Sequence, residues 1–109
     1  MNEYMTEQIL VFCTVPDSDT AVRISKALID RKLAACVSWG EKIQSVYRWN
    51  GRVEKAEELN LTVKTVNGKY RDVEELILSI HPYDVPEIVA VPILEGFGPY
   101  LEWIRQETS

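Results

Sequence analysis

The sequence predicts an α+β fold in which four strands and two helices follow one another as βαββαβ, with one further helix at the C-terminus. Three observations carry that reading. A continuous apolar, β-branched-rich run at 9–15 gives way to residues that repeat at helical spacing. Two Asn-Gly pairs, Asn50-Gly51 and Asn67-Gly68, punctuate extended segments. A second helical stripe then leads through a proline-bracketed heptapeptide into a last apolar run.

The first strand, 9–15, is ended by Pro16 and by the Asp17-Ser18-Asp19 cluster, which is suited to cap a helix. The first helix is expected over 20–32. Ala21, Ile24 and Leu28, with Val22, Ile29 and Leu33, recur at three- and four-residue steps, while Arg23, Lys26, Asp30 and Arg31 fall mostly opposite. A second strand begins at 35–39, bends or bulges at Gly40 and continues through 43–49. Asn50-Gly51 then predicts a type I′ hairpin turn, because both central residues must take positive φ and Asn and Gly tolerate it. In the return strand, 52–65, Leu59, Leu61 and Val63 point one way and Glu58, Asn60, Thr62 and Lys64 the other.

After the turn at Asn67-Gly68, residues 69–80 read as a helix with Val73, Leu76, Ile77 and Ile80 on its apolar stripe. The heptapeptide HPYDVPE, 81–87, holds the single histidine. Pro82 and Pro86 bias His81 and Val85 toward extended backbone, so the segment is expected to be a stiff helix-to-strand connector. A fourth strand follows at 87–93, with Pro92 implying an edge or an end. The last helix starts after Gly98, with Pro99 at its favoured first position and Tyr100, Leu101, Trp103 and Ile104 expected to pack inward.

A chain of 109 residues fits one domain, expected to span 1–109 with 1–7 flexible. A hydrophobic fraction of 46% with three Trp, five Tyr and two Phe is enough for a core. Seventeen acidic against twelve basic residues give a net charge of −5 with no basic stripe, which argues against nucleic-acid binding. The N-terminus lacks a basic-then-apolar leader and no apolar run approaches the ~18 residues that span a bilayer. A cytoplasmic protein without a membrane segment is expected. Cys13 and Cys36 each lie in an apolar run and are expected to be buried free thiols.

This order matches the split βαβ, ferredoxin-like arrangement, whose two main helices cover one face of an antiparallel sheet. The two hairpin arms exceed ordinary strand length and carry Tyr47 and Trp49 on one face, Val46 on the other. An arm that long should project beyond its domain and pair with a neighbouring subunit, since exposed edges and apolar patches otherwise invite aggregation.

The segments LAACV (33–37), VYRWNGRVE (46–54), Glu58 with VKT (63–65), HPYDVPEI (81–88) and YLEWI (100–104) resemble the CutA family of divalent-cation tolerance proteins, in the right order and over nearly the whole chain. The resemblance implies a homotrimer similar in architecture to the PII signalling proteins, with sheets inward and helices outward, and an association with divalent metal tolerance and copper binding. Cyclic assembly by heterologous contacts would give each hairpin a neighbour's edge. No catalytic reaction is implied. Cys13, Cys36 and His81 are the candidate metal ligands by donor chemistry. In a ferredoxin-like sheet the two cysteines sit on strands roughly 9–10 Å apart. That separation opposes both a shared metal within one chain and an intrachain disulfide.

Copper would then need one cysteine at a time, a ligand from a neighbouring subunit, or the His81 region. A second expectation is a small-molecule or signal-binding trimer. Its cleft would lie near a subunit boundary, with Trp49 and Tyr83 as apolar walls, Glu58, Lys64 and Glu87 as polar groups and His81 as a titratable member. A non-catalytic trimeric scaffold fits the same features. His81, Asp84 and Glu87 come with no nucleophile elbow, zinc-protease motif or phosphate-cradling glycine loop, so an enzyme is not expected.

Overall fold

The computed structural model describes residues 7–109. The flexibility expected of the N-terminus thus falls mostly outside the described residues; Glu7, at their start, accepts a backbone hydrogen bond from Asn67. The elements are β1 (Gln8–Val15), α1 (Ser18–Asp30), β2 (Cys36–Trp39), β3 (Ile43–Trp49), β4 (Arg52–Val66), α2 (Tyr70–Ile80), β5 (Ile88–Pro92) and α3 (Gly98–Glu107). A single 3-10 turn, Asn67–Lys69, leads into α2.

The sheet runs β2-β4-β1-β5, all antiparallel, with β3 pairing the outer half of β4. This is the ferredoxin-like order. The expected second strand is broken into β2 and β3 around Gly40, so the core sheet and the projecting arm draw on different pieces of one extended segment. β4 has 15 residues and serves both.

Alternation decides which face is the core. Val11, Cys13 and Val15 of β1 and Leu59, Leu61 and Val63 of β4 are buried against Ala21, Ile24 and Leu28 of α1 and Val73, Leu76 and Ile77 of α2. Val22 and Ile29, expected among the packing residues of the first helix, lie half in solvent. Asp17 caps α1, its side chain accepting from the Thr20 N–H at 2.8 Å, and that bond holds its carboxyl below the usual range.

The helix stops short of the expected 20–32 span for a local reason. Lys32 adopts φ 56°, its N–H donates to the Ile29 carbonyl at 3.0 Å, and the Leu33 N–H donates to the Leu28 carbonyl at 2.9 Å. These bonds form a Schellman terminus with a lysine where glycine is usual.

At the hairpin tip Asn50 and Gly51 have φ of 51° and 77°, the signature of the expected I′ turn. β5 pairs only with β1 and ends at Pro92, a sheet edge as its proline implied. α3 buries Ile104, and Gln8 donates to the Leu101 carbonyl at 3.0 Å. Tyr100 and Trp103, expected to pack inward, instead stack on one another at 5.6 Å with much of their surface exposed.

The sheet face away from α1 and α2 carries Leu10, Phe12 and Thr14 in register with Lys64, Thr62 and Asn60. Val91 and Val89 pair with Leu10 and Phe12 from the other side and remain 40% and 48% exposed. This face is apolar along β1 and β5 and only partly covered.

Candidate functional site

The root of the hairpin, the end of β1 and the heptapeptide connector enclose a cleft of about 520 Å³ lined by Thr14, Ser45, Val46, Tyr47, Trp49, Glu58, Tyr83, Asp84, Val85 and Glu87. Strand register puts the hairpin contribution there. Ile43, Ser45, Tyr47 and Trp49 lie opposite Glu58, Ala56, Glu54 and Arg52, so the aromatics share the face of Glu58.

The connector is fixed by its histidine. His81 ends α2 in extended backbone, φ −66° and ψ 133°, as the following proline requires. The residue is 8% exposed, its ring placing Nε2 at 2.7 Å from the Thr14 carbonyl and Nδ1 accepting from the Tyr83 N–H at 3.2 Å. A carbonyl only accepts, so Nε2 carries the proton and the ring is the neutral tautomer. Both nitrogens are used. The imidazole also lies against the Tyr83 ring, centroids 4.7 Å apart.

Tyr83 passes this order to the cleft. Its hydroxyl donates to Glu58 Oε2 at 3.0 Å. Burial first, and then the neighbouring Glu58 carboxylate, push the phenol up to about 12, so it stays a donor at neutral pH. Glu58 is only 6% exposed. Behind it, Cys13 is pushed up to about 12 by burial and then by the charges of Glu87 and Glu58, which leaves a thiol rather than a thiolate.

Of the residues expected in the cleft, Trp49, Glu58, Tyr83 and Glu87 are brought together, and His81 supports them from behind. Lys64 is not among them: it lies on the sheet opposite Leu10 and Cys36 with its ammonium 5.6 Å from the centre of the Tyr100 ring. Glu58 and Lys64 lie six residues apart on the one strand β4, about 20 Å at the ordinary strand rise, which separates the two ends of one polar row.

Nor are the candidate metal ligands assembled. Cys13 faces the core opposite Leu61, whereas Cys36 is half-buried opposite Lys64, on the other side of the sheet. His81 has no free nitrogen. Among the described residues no group of three or more His, Cys, Asp or Glu is placed to hold a metal ion. Ser45, Tyr47, Thr14, Val46, Asp84 and Val85 were missed as cleft residues by the sequence reading. For the first two the signal was present, since a two-residue turn at Asn50-Gly51 fixes every pairing down to Ile43 with Glu58.

Fold and cleft define a ferredoxin-like α+β domain with a projecting hairpin and a connector-walled cleft at its root. The sequence pattern described as CutA1 divalent ion tolerance protein matches residues 9–107, and the chain belongs to that family. It is similar to the divalent-cation tolerance protein CutA of Thermus thermophilus, 45% identical over 105 residues covering 96% of this chain and 100% of that protein. It also resembles the human Protein CutA, 37% identical over 90% of this chain but 55% of the longer protein. A solved CutA1 structure from the psychrotrophic bacterium Shewanella sp. SIB1 superposes with a TM-score of 0.93 at 44% identity, covering 96% of this chain and 98% of that one. None of the helices among the described residues is long and apolar enough to cross a membrane.

Proposed function

We propose that this chain acts as a homotrimer of PII-like architecture in tolerance of, or response to, divalent metal ions, copper among them. The observation that carries the reading is the family match along 9–107, shared with a relative whose name records divalent-cation tolerance. The partly covered apolar face of β1 and β5 and the projecting hairpin support assembly, because each would gain a partner in a closed ring.

Since one chain does not assemble a metal site, copper is held, on this reading, at a subunit boundary, where the half-buried Cys36 meets a ligand from a neighbour. Two free cysteines suit a reducing cytoplasm. No catalytic step is included, and the protonated Cys13 supports that.

Copper(I) titration followed by calorimetry tests the metal part. Saturable binding that Cys36→Ala weakens at least tenfold supports it; no binding by the wild type sinks it. Native mass spectrometry reads the assembly, and a monomer rejects the trimer.

A second reading is favoured by the cleft itself, in which aromatic walls and convergent carboxylates meet: a small molecule binds there and the trimer reports it. Metabolites that raise the melting temperature would support this reading, and none doing so would leave a non-catalytic scaffold.

A further inference from the structure

We propose that the cleft binds a small organic cation, an ammonium or guanidinium compound, with the charge met by Glu58 and the carbon skeleton lying against Tyr47 and Trp49. The inference rests on the second reading above, that the cleft takes a small molecule, and names its chemical class.

The charge balance of the cleft points there. Glu58, Asp84 and Glu87 line it, and no lysine or arginine does. Among the described residues the sole ion pair is Arg105 with Glu102, on α3. Glu58 is the informative carboxylate, because it is only 6% exposed and still lines the cleft. Tyr83 gives its one hydroxyl proton to Oε2, while Oε1 accepts no hydrogen bond from the described residues. Among the described residues no buried side-chain oxygen lacks a partner, so Oε1 is the part of this carboxylate open to the cleft, where a cation or donors can complete it. An acidic cleft disfavours anions, and a neutral guest leaves that charge unbalanced.

The shape and lining favour an organic cation over a metal ion. A divalent metal needs several oxygen, nitrogen or sulfur donors converging within about 2–2.6 Å, and the described residues offer no group of three such side chains. A cleft of about 520 Å³ is instead the size of a small-molecule site, and Tyr47, Trp49 and Tyr83 present aromatic rings to it. Aromatic faces attract ammonium and guanidinium groups through the ring quadrupole. Asp84 and Glu87, exposed, suit a second charge at the far end of a diamine.

A lysine or arginine from a neighbouring subunit is the other source of the same chemistry, and the experiment separates the two. The full chain is titrated calorimetrically with putrescine and with agmatine, citrate serving as the anionic control and magnesium as the metal control. Saturable binding of either amine is expected, at least tenfold weaker in Glu58→Gln and several-fold weaker in Trp49→Ala, with none for citrate or magnesium. Trp49 is exposed, so its replacement tests the site even if the buried substitution impairs folding.

No saturable amine binding overturns the proposal, as does binding that both variants leave unchanged, which would be surface attraction. If Glu58→Gln dissociates the oligomer in native mass spectrometry while the wild type binds no amine, the occupant is the neighbour's side chain and the proposal falls. Retention of an anionic or neutral metabolite in the cleft would leave the small-molecule reading standing and reject the cation.

Discussion

His81 shows how one side chain sets a site without entering it. Its neutral ring joins the Thr14 carbonyl of β1 to the Tyr83 N–H of the connector, and Tyr83 in turn holds Glu58. His81→Ala removes the partners of two half-buried backbone groups, the Thr14 carbonyl and the Tyr83 N–H, and a loss of about 1–2 kcal/mol is expected in urea unfolding. Tyr83 makes a pH prediction. Its phenol is raised from 10.0 to about 12, so the fold favours the neutral form; that contribution is full below pH 10 and is lost as pH rises through 12. Stability of Tyr83→Phe, followed by urea midpoints between pH 9 and 12, should therefore decline less steeply than that of the wild type. The heptapeptide was legible as a connector because two prolines fix its backbone. What His81 touches was not legible, since Thr14 is 67 residues away in sequence.

At the scale of elements, local rules worked where one residue type dictates a backbone state. Asn50-Gly51 delivered its turn with positive φ at both positions. They failed where tertiary structure overrode preference: the helical period of 20–32 continued through Lys32, yet the chain turned there into left-handed backbone. Leu33 must leave the helix axis to reach the core, and it is 9% exposed. Lys32→Gly should therefore stabilise the protein by roughly 0.5–1 kcal/mol, seen as a higher thermal midpoint, because glycine takes this conformation without a Cβ clash. A drop in stability would show that the lysine side chain contributes more than its backbone costs. Lys64 was misplaced for a related reason. Alternation assigned its face correctly, but a shared face says nothing of distance along the strand, and six residues of rise carry Lys64 about 20 Å from Glu58.

The whole molecule extends 44 × 29 × 24 Å, with a radius of gyration of 14.7 Å against about 13 Å for a compact chain of this length. The excess is the hairpin, and its length was readable from the sequence. A partly covered apolar sheet face is the other departure from a self-sufficient monomer. The proposed trimer predicts that Val89→Asp, which places a charge on that face, shifts the mass seen by light scattering from three chains toward one. An unchanged mass would place the interface elsewhere.

β4 gives this elongated body its mechanical character. Fifteen residues run without a break from the hairpin tip, past the cleft, into the middle of the sheet, and β1, β2 and β3 are all zipped to them. Such a beam has no joint at which the arm could swing shut over a guest. The other wall, the loop from His81 to Glu87, is pinned to β1 and α2 through His81, so the cleft stays open between two fixed walls, and amide exchange should be slow at His81 and Tyr83 and along the buried end of β4 and fastest at the hairpin tip.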